Sequence, residues 1–261
     1  MAEVKITFDA ADDYERYMGR WSRAVGEKFL DWLGAPANAR WLDAGCGTGA
    51  FSDLILKRAA PKAVTGIDPS AAQVAYASKT LPGATFEVGD AMAMPFADGA
   101  FDVVASALVI HFIPDRAKAF AEMKRVLNSG GCVGGYTWKR TATADHAAYA
   151  PVLRGAEHIG GVAMRSPVVP EGTVEGMQAS LSAAGFTEVS AIEIEVTRTF
   201  PSFEEFWDIH AAPFSPSGKT IAQFDDAKRA DLREHLAATM TAADGTVTHS
   251  ATAIAGKARK P

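Results

Sequence analysis

The chain has 261 residues, of which 48% are apolar and 22% charged, enough to bury a full core in one large domain or in a domain with a lid. Its formal net charge of −5 argues against nucleic acid and against a polybasic membrane anchor, both of which select basic patches. Two cysteines, Cys46 and Cys132, exclude a disulfide framework, and no metal-ligand spacing is present. A reducing cytoplasm is the expected compartment. The opening Met1-Ala2-Glu3-Val4-Lys5 lacks the apolar core of a signal peptide. The longest apolar stretch, Val103 to Ile113, is broken by Ser106 and His111 and is too short to span a bilayer.

Residues 10–34 read as helical. Tyr14, Tyr17, Met18, Trp21, Val25, Phe29, Leu30 and Leu33 recur at helical spacing, and Gly34 and Pro36 stop the segment. An alternation of strand, turn and helix follows. Arg40-Trp41-Leu42 is a predicted strand ending at Asp43, and Phe51, Leu54 and Ile55 mark a helix that stops before Pro61. Ala63 to Ile67 is the next strand, ending at Asp68; Pro69 and Ser70 begin a helix that closes at Leu81-Pro82-Gly83. Thr85 to Val88 is a third strand, ending at Gly89-Asp90. The near-continuous apolar run Phe101 to Leu108 predicts a strand buried on both faces. A helix over 114–128 and a strand over Cys132 to Trp138 complete the alternation. Such an order implies right-handed crossovers and a doubly wound α/β fold, a parallel sheet with helices on both faces.

Beyond Trp138 the composition shifts. Residues 139–170, rich in Ala, Gly, Pro and His, show no clear sheet pattern. A helix with Met177, Leu181 and Ala184 ends at Gly185, and Val189 to Phe200 alternates as a strand. Residues 201–244 read as helical through Phe203, Phe206, Trp207, Ile209, Phe214, Phe224, Leu232 and Leu236, and Thr246 to Ala258 is a last strand. The expected organisation is a helical cap over 1–37 and a nucleotide-binding-type domain over 38–138 and 175–261. Insertions at about 139–170 and 201–244 would be helical lids over an acceptor site.

Four features fall at the carboxyl ends of successive strands, the edge where open α/β sheets bind ligands. The first is Asp43-Ala44-Gly45-Cys46-Gly47-Thr48-Gly49. Its glycines clear Cβ atoms from a strand-to-helix turn, so that a ligand can touch backbone amides. The third glycine arrives one residue too early for the dinucleotide fingerprint, and the Walker lysine is absent. The second is Asp68, able to accept both hydroxyls of a ribose or to cap the next helix, a role Ser70 can also fill. The third is Asp90 with Ala91 and Met92, suited to an adenine amino group and ring, or else a solvated loop carboxylate. The fourth is Ser106-Ala107-Leu108-Val109-Ile110-His111, whose carbonyls can face a positive group.

Together these features resemble the class I S-adenosylmethionine-dependent methyltransferases, within them the ubiquinone/menaquinone-methyltransferase-like (methyltransferase type 11) group. Met94-Pro95-Phe96-Ala97-Asp98-Gly99-Ala100-Phe101-Asp102, the segment Glu122-Met123-Lys124-Arg125-Val126-Leu127-Asn128-Ser129-Gly130-Gly131 and Ala183-Ala184-Gly185-Phe186 are similar to further motifs of that group. Asn128-Ser129 departs from its usual Lys-Pro. The resemblance implies a seven-stranded, mostly parallel sheet with the last strand antiparallel. It also implies that Asp43, Ala44, Gly45, Cys46, Gly47 and Gly49 hold the methionine part of S-adenosylmethionine, and that Asp68 binds the ribose beside Pro69 and Ser70. Asp90 and Ala91 would hold the adenine with Met92 packed near it, and Ser106 and Ala107 would border the site. The segment before the first strand, Tyr17 to Trp21, would close over the cofactor, with Arg20 either paired to the methionine carboxylate or on a solvated helix face. Cys46 reads as a small structural residue, because no base accompanies it.

The expected activity is in-line methyl transfer to an oxygen, nitrogen or carbon of a small molecule, leaving S-adenosylhomocysteine. The alternatives are a macromolecule methyltransferase acting on RNA, DNA or protein, a binding protein without catalysis, and another use of the same cofactor, such as aminopropyl transfer. His111 is the candidate base, against a packing role. His111, Trp138, His146, Tyr149, Trp207 and His210 are the candidate acceptor contacts, Trp207 and His210 sharing a helix face. The oligomeric state is open.

Overall fold

A computed structural model describes residues 19–142, 144–163, 167–213 and 215–261. Tyr14, Tyr17, Met18 and Phe214, assigned above to helices or to the site, lie outside the described residues.

Seven strands form one sheet: β1 (Arg40–Ala44), β2 (Ala63–Asp68), β3 (Thr85–Val88), β4 (Phe101–Ala107), β5 (Leu127–Trp138), β6 (Thr187–Phe200) and β7 (Val247–Arg259). Their order is β3-β2-β1-β4-β5-β7-β6. The β1–β2, β1–β4, β2–β3 and β4–β5 pairs are parallel, and β5–β7 is antiparallel, so the sheet has the expected class. The chain reverses spatial direction between β3 and β4, which flank the β1–β2 pair. At such a switch point the carboxyl ends of β1 and β4 splay apart and leave a crevice.

By contact density the chain divides into two units, with boundaries inside β6 and β7. The larger is Ser22–Ala144, Val168–Ile194 and Thr252–Pro261. It holds β1 to β5, the beginning of β6 and the end of β7. Its helices are most of α1 (Arg20–Leu33), then α2 (Ala50–Arg58), α3 (Ala71–Thr80), α4 (Arg116–Val126) and, skipping one helix of the other unit, α6 (Val174–Ala183). The helices begin where the chemistry of their first residues allows. Ser70 Oγ accepts from Gln73 N to start α3, Asp115 from Lys118 N to start α4, and Thr173 from Gly176 N to start α6. The core comprises Leu42, Ile67, Val104, Phe120, Met123, Leu127 and Ile254 among others, all nearly inaccessible. Burial of each such side chain contributes roughly 1.5–3 kcal/mol. Phe29 of α1 and Phe51 of α2 meet the ring of Tyr136 on β5 at 5.1 and 5.9 Å, and the Tyr136 hydroxyl donates to Ser22 O. The helix before the first strand is thereby fixed to the helix that follows the glycine loop.

The second unit takes described residues 19–21 with Asp145–Pro167 and Glu195–Ala251. It holds α5 (Ala150–His158), α7 (Phe203–His210), α8 (Pro216–Ile221), α9 (Asp226–Met240) and the remaining parts of β6 and β7. Helix α5 lies within 139–170, the first of the two insertions expected to be helical. Pro151 sits in its first turn, where a missing N–H costs nothing, and Val152, Leu153 and Ala156 are buried. Strand β5 also begins earlier than expected. Leu127 pairs with Phe101, and the register shifts between Phe101 and Val103. The bulge absorbs Asn128 to Gly131, which read as a turn.

Candidate active site

The first two strand ends place two carboxylates beside the glycine loop. Asp43 is the penultimate residue of β1 and is fully buried. Its Oδ2 accepts from Ser52 Oγ at 2.7 Å, whereas Oδ1 is buried with no hydrogen-bond partner. Burial pushes its carboxyl up to about 7; the Ser52 hydroxyl works against this, and the nearby Asp68 charge adds to it. Asp68 closes β2. Its Oδ2 accepts from Gly47 N at 3.0 Å and its Oδ1 from Ser70 N at 2.9 Å. Burial raises its carboxyl as well, opposed by those two backbone donors. Capping of α3 falls to Ser70, so Asp68 has lone pairs left for hydroxyl donors.

The loop between them corrects one expectation. Its amides were expected to meet a ligand directly. Instead Gly45 N and Cys46 N both donate to Ile67 O, Gly47 N donates to Asp68, and Gly49 N donates to Cys46 O. The loop is thus poor as an anion cradle, and its glycines serve shape. Gly45 has φ +83°, and a Cβ there would be driven into the Val109 side chain. Gly49 has φ +88°, and a Cβ there would lie 2.6 Å from Leu81 Cδ1. The strand-to-helix turn and the turn after β4 press directly on each other at Gly45.

The other strand ends complete the edge. Asp90 follows β3, is exposed, and accepts from Met92 N at 2.8 Å; Ala91 is buried and Met92 half-buried. Ser106 is buried near the end of β4, and its Oγ donates to Ala44 O at 3.0 Å, tying β4 to β1. Ala107 is half-buried. Leu108 then takes a left-handed φ of +59°, a conformation that costs a non-glycine residue energy and recurs at functional turns. His111 lies in the short 3-10 turn Ile110–Phe112. Its Nδ1 is 2.9 Å from Thr137 Oγ1 on β5, and burial, with the Arg140 charge, depresses its pKa to about 3. It is therefore neutral throughout the physiological range. Trp138, at the end of β5, is buried.

The remaining sequence candidates belong to the second unit. His146 is exposed, and Tyr149 is buried immediately before α5. Trp207 stacks on Phe203, and His210 is fully buried with Nδ1 2.8 Å from Phe206 O and Nε2 3.3 Å from Ala148 O. Burial lowers its pKa to about 4. Trp207 and His210 do share helix α7, where both contribute to packing. Arg20, exposed at the start of α1, is near enough to Arg198 for their charges to interact. The Cys46 thiol is pushed far up by burial and by the Asp43 and Asp68 charges, which removes it as a nucleophile.

Sequence reasoning did not single out Ser52 as the partner of Asp43, Val109 as the side chain that dictates Gly45, or Thr137 as the partner of His111. A hydroxyl in the first turn after the loop was the only legible signal among them.

A buried carboxylate with an orphan oxygen, a half-buried one beside it and a loop whose Gly45, Cys46, Gly47 and Gly49 amides are engaged make an acceptor-rich strand edge. It suits a ligand that brings donors, an ammonium and a pair of hydroxyls. S-adenosylmethionine has both, and the acceptor-rich edge is compatible with it.

The comparisons with known proteins agree. Residues 42–133 match the family profile described as "Methyltransferase domain". The malonyl-[acyl-carrier protein] O-methyltransferase of Geobacter sulfurreducens is 30% identical over 207 residues, 75% of this chain and 74% of that protein. Several other enzymes of that name are matched over only about half of their length. The 2-methyl-6-phytyl-1,4-hydroquinone methyltransferase of Synechocystis is 37% identical over 131 residues, 49% of this chain and 38% of that one. Among solved structures, geranyl diphosphate C-methyltransferase from Streptomyces coelicolor, crystallised with Mg2+, geranyl diphosphate and S-adenosylhomocysteine, aligns with a TM-score of 0.54. It is 16% identical and covers 93% of this chain and 80% of its own.

Proposed function

The chain belongs to the class I S-adenosylmethionine-dependent methyltransferases, and from that premise we propose that it methylates an oxygen, nitrogen or carbon of a small organic acceptor. The observation that carries the reading is the pairing of Asp43 and Asp68 at adjacent strand ends, with an unpartnered acceptor atom on Asp43. When bound, S-adenosylmethionine supplies an electrophilic methyl on a cationic sulfur with a neutral leaving group. The residues of this chain then have little covalent chemistry to perform. Asp43 holds the methionine end of the donor and Asp68 its ribose, Asp90 with Ala91 and Met92 borders the adenine end, and the edge from Ser106 to His111 adjoins them at β4. Alignment of nucleophile with methyl is the main contribution, and exclusion of water is the second.

His111 is a hydrogen-bonding, orienting group in this account. A histidine depressed to about 3 has little appetite for a proton near neutral pH, and its nearest partner is the Thr137 hydroxyl. Such a site favours acceptors that reach it already anionic or that lose a proton to water after transfer. The names of the relatives above specify a malonyl group borne on an acyl-carrier protein, a hydroquinone and geranyl diphosphate as acceptors. We place the protein in the cytoplasm. Both of its cysteines are buried and unpaired, and no helix of the described residues is long and apolar enough to cross a membrane.

The test is an acceptor panel of small acids, quinols, amines and acyl-carrier thioesters. Release of S-adenosylhomocysteine and a mass gain of one methylene on the acceptor are read together. A free small molecule is expected to turn over. Turnover of the carrier-bound thioester alone would replace this reading with a protein-borne acceptor.

A further inference from the structure

The glycine loop is held differently on its two sides. Toward β2 the hold is by hydrogen bonds: Gly45 N and Cys46 N donate to Ile67 O, and Gly47 N donates to Asp68. Toward β4, Ser106 Oγ donates to Ala44 O at 3.0 Å, and the next residue, Gly45, is met by a side chain. A Cβ on Gly45 would lie 2.4 Å from Val109 Cγ1, 2.6 Å from Cγ2 and 2.9 Å from Cβ. All three distances are shorter than apolar atoms tolerate, so both branches of Val109 occupy the space that a side chain at position 45 would take. Residues 44 and 45 directly follow Asp43, whose free oxygen faces the donor in the account above.

Val109 is delivered to this contact by a strained residue. The chain leaves β4 at Ala107, and Leu108 turns it with a φ of +59°. A leucine gains nothing from a left-handed backbone, whereas an asparagine can hydrogen-bond locally there. The conformation is held from outside: Leu108 N donates to Tyr136 O at 2.8 Å, and its side chain is buried. Strain of this kind persists where the surroundings over-determine it, and it concentrates at functional turns. The same residue that touches the loop also closes the next turn. Phe112 N donates to Val109 O at 2.8 Å, and within that turn His111 is fixed to Thr137. Val109 is itself half-buried, so shortening its side chain opens no sealed cavity.

We propose that Val109 is a positioning residue that couples the two halves of the reaction site. Its side chain sets the glycine loop in the donor-binding position, and its backbone carries the occupancy of that loop to the turn that holds His111. Coupling between two sites is reciprocal, so a bound donor orders the turn and an ordered turn favours the donor. The strain at Leu108 is the conformational cost of bringing Val109 back onto Gly45. The proposal rests on donor binding at this loop.

The test is amide hydrogen exchange of the full chain with and without saturating S-adenosylhomocysteine, joined to calorimetric titration of the same ligand. It is run on the wild type, Val109→Ala and Val109→Ile. Isoleucine keeps both branches at Cβ and alanine removes them. In the wild type the ligand is expected to slow exchange over residues 43–49 and also over 108–113. In Val109→Ala the slowing over 108–113 is expected to disappear, and affinity to fall about fivefold or more. Val109→Ile is expected to keep both properties close to wild type. A side chain that only fills space would lower Tm in Val109→Ala and leave affinity and ligand-dependent exchange unchanged, which would overturn the proposal. Slowing over 108–113 that survives in Val109→Ala overturns it too, because the ligand then touches the turn directly. Slowing over 43–49 without any over 108–113 in the wild type rejects the coupling and leaves donor binding at the loop standing. Slowing at neither segment contradicts both.

Discussion

At the scale of single residues, the account rests on buried acceptors. Asp43 carries a carboxyl raised to about 7, mainly by burial. The folded protein therefore holds this proton up to a pH where the unfolded chain has lost it. The stability that Asp43 contributes is complete below about pH 4 and falls as pH rises through 7. Cofactor binding has the opposite trend, because an ammonium pairs with the carboxylate and not with the acid. The dissociation constant of S-adenosylhomocysteine is expected to tighten as pH rises from 5.5 to 7.5, and Asp43→Asn is expected to flatten the profile; calorimetric titration across that range is the check. Gly45→Ala introduces a left-handed alanine and a methyl into the Val109 side chain, so a loss of about 2 kcal/mol or more is expected in urea unfolding. His111→Gln is expected to lower kcat less than tenfold, since a true general base is worth about 100-fold or more. A larger loss would assign proton transfer to His111.

At the scale of elements, the segment that carries Asp90 is held by α4. Glu122 accepts from Met94 N at 2.8 Å, and Arg125 donates to Met94 O, Phe96 O and Asp98 while pairing with Glu122. This clasp explains why Glu122 and Arg125 stand together three residues apart. Arg125→Ala is expected to cost about 2 kcal/mol of stability and to weaken cofactor binding several-fold by freeing the segment 90–98; urea unfolding and titration of the same sample separate the two effects. The elements of the sheet were legible because strand ends are punctuated by Asp43, Asp68 and Asp90 and helix starts by Ser70 and Asp115. What stayed hidden had no local signature. The bounds of helix α5 are unmarked, with Gly155 inside it, and the bulge at the start of β5 is a consequence of pairing with β4. The use of the loop amides by Ile67 and Asp68 depends on a contact between two strands, which no spacing within the loop can encode.

At the scale of the whole molecule, the donor site and the acceptor differ in legibility for a physical reason. The donor half is written on one sheet edge in contiguous motifs. The acceptor candidates are scattered through segments where aromatic and histidine side chains also build a core, as His210 does between Phe200 and Phe206. Any ligand bound only by the native chain stabilises it, so S-adenosylhomocysteine at a hundred times its dissociation constant is expected to add about 2.7 kcal/mol. The most direct measurement of the central claim is calorimetric titration of S-adenosylhomocysteine into the wild-type chain and into Asp68→Ala, with Tm recorded for both. The account predicts one site per chain in the wild type, and affinity reduced at least tenfold in the variant while Tm shows that it remains folded at the titration temperature. Equal affinity in the two proteins would contradict it.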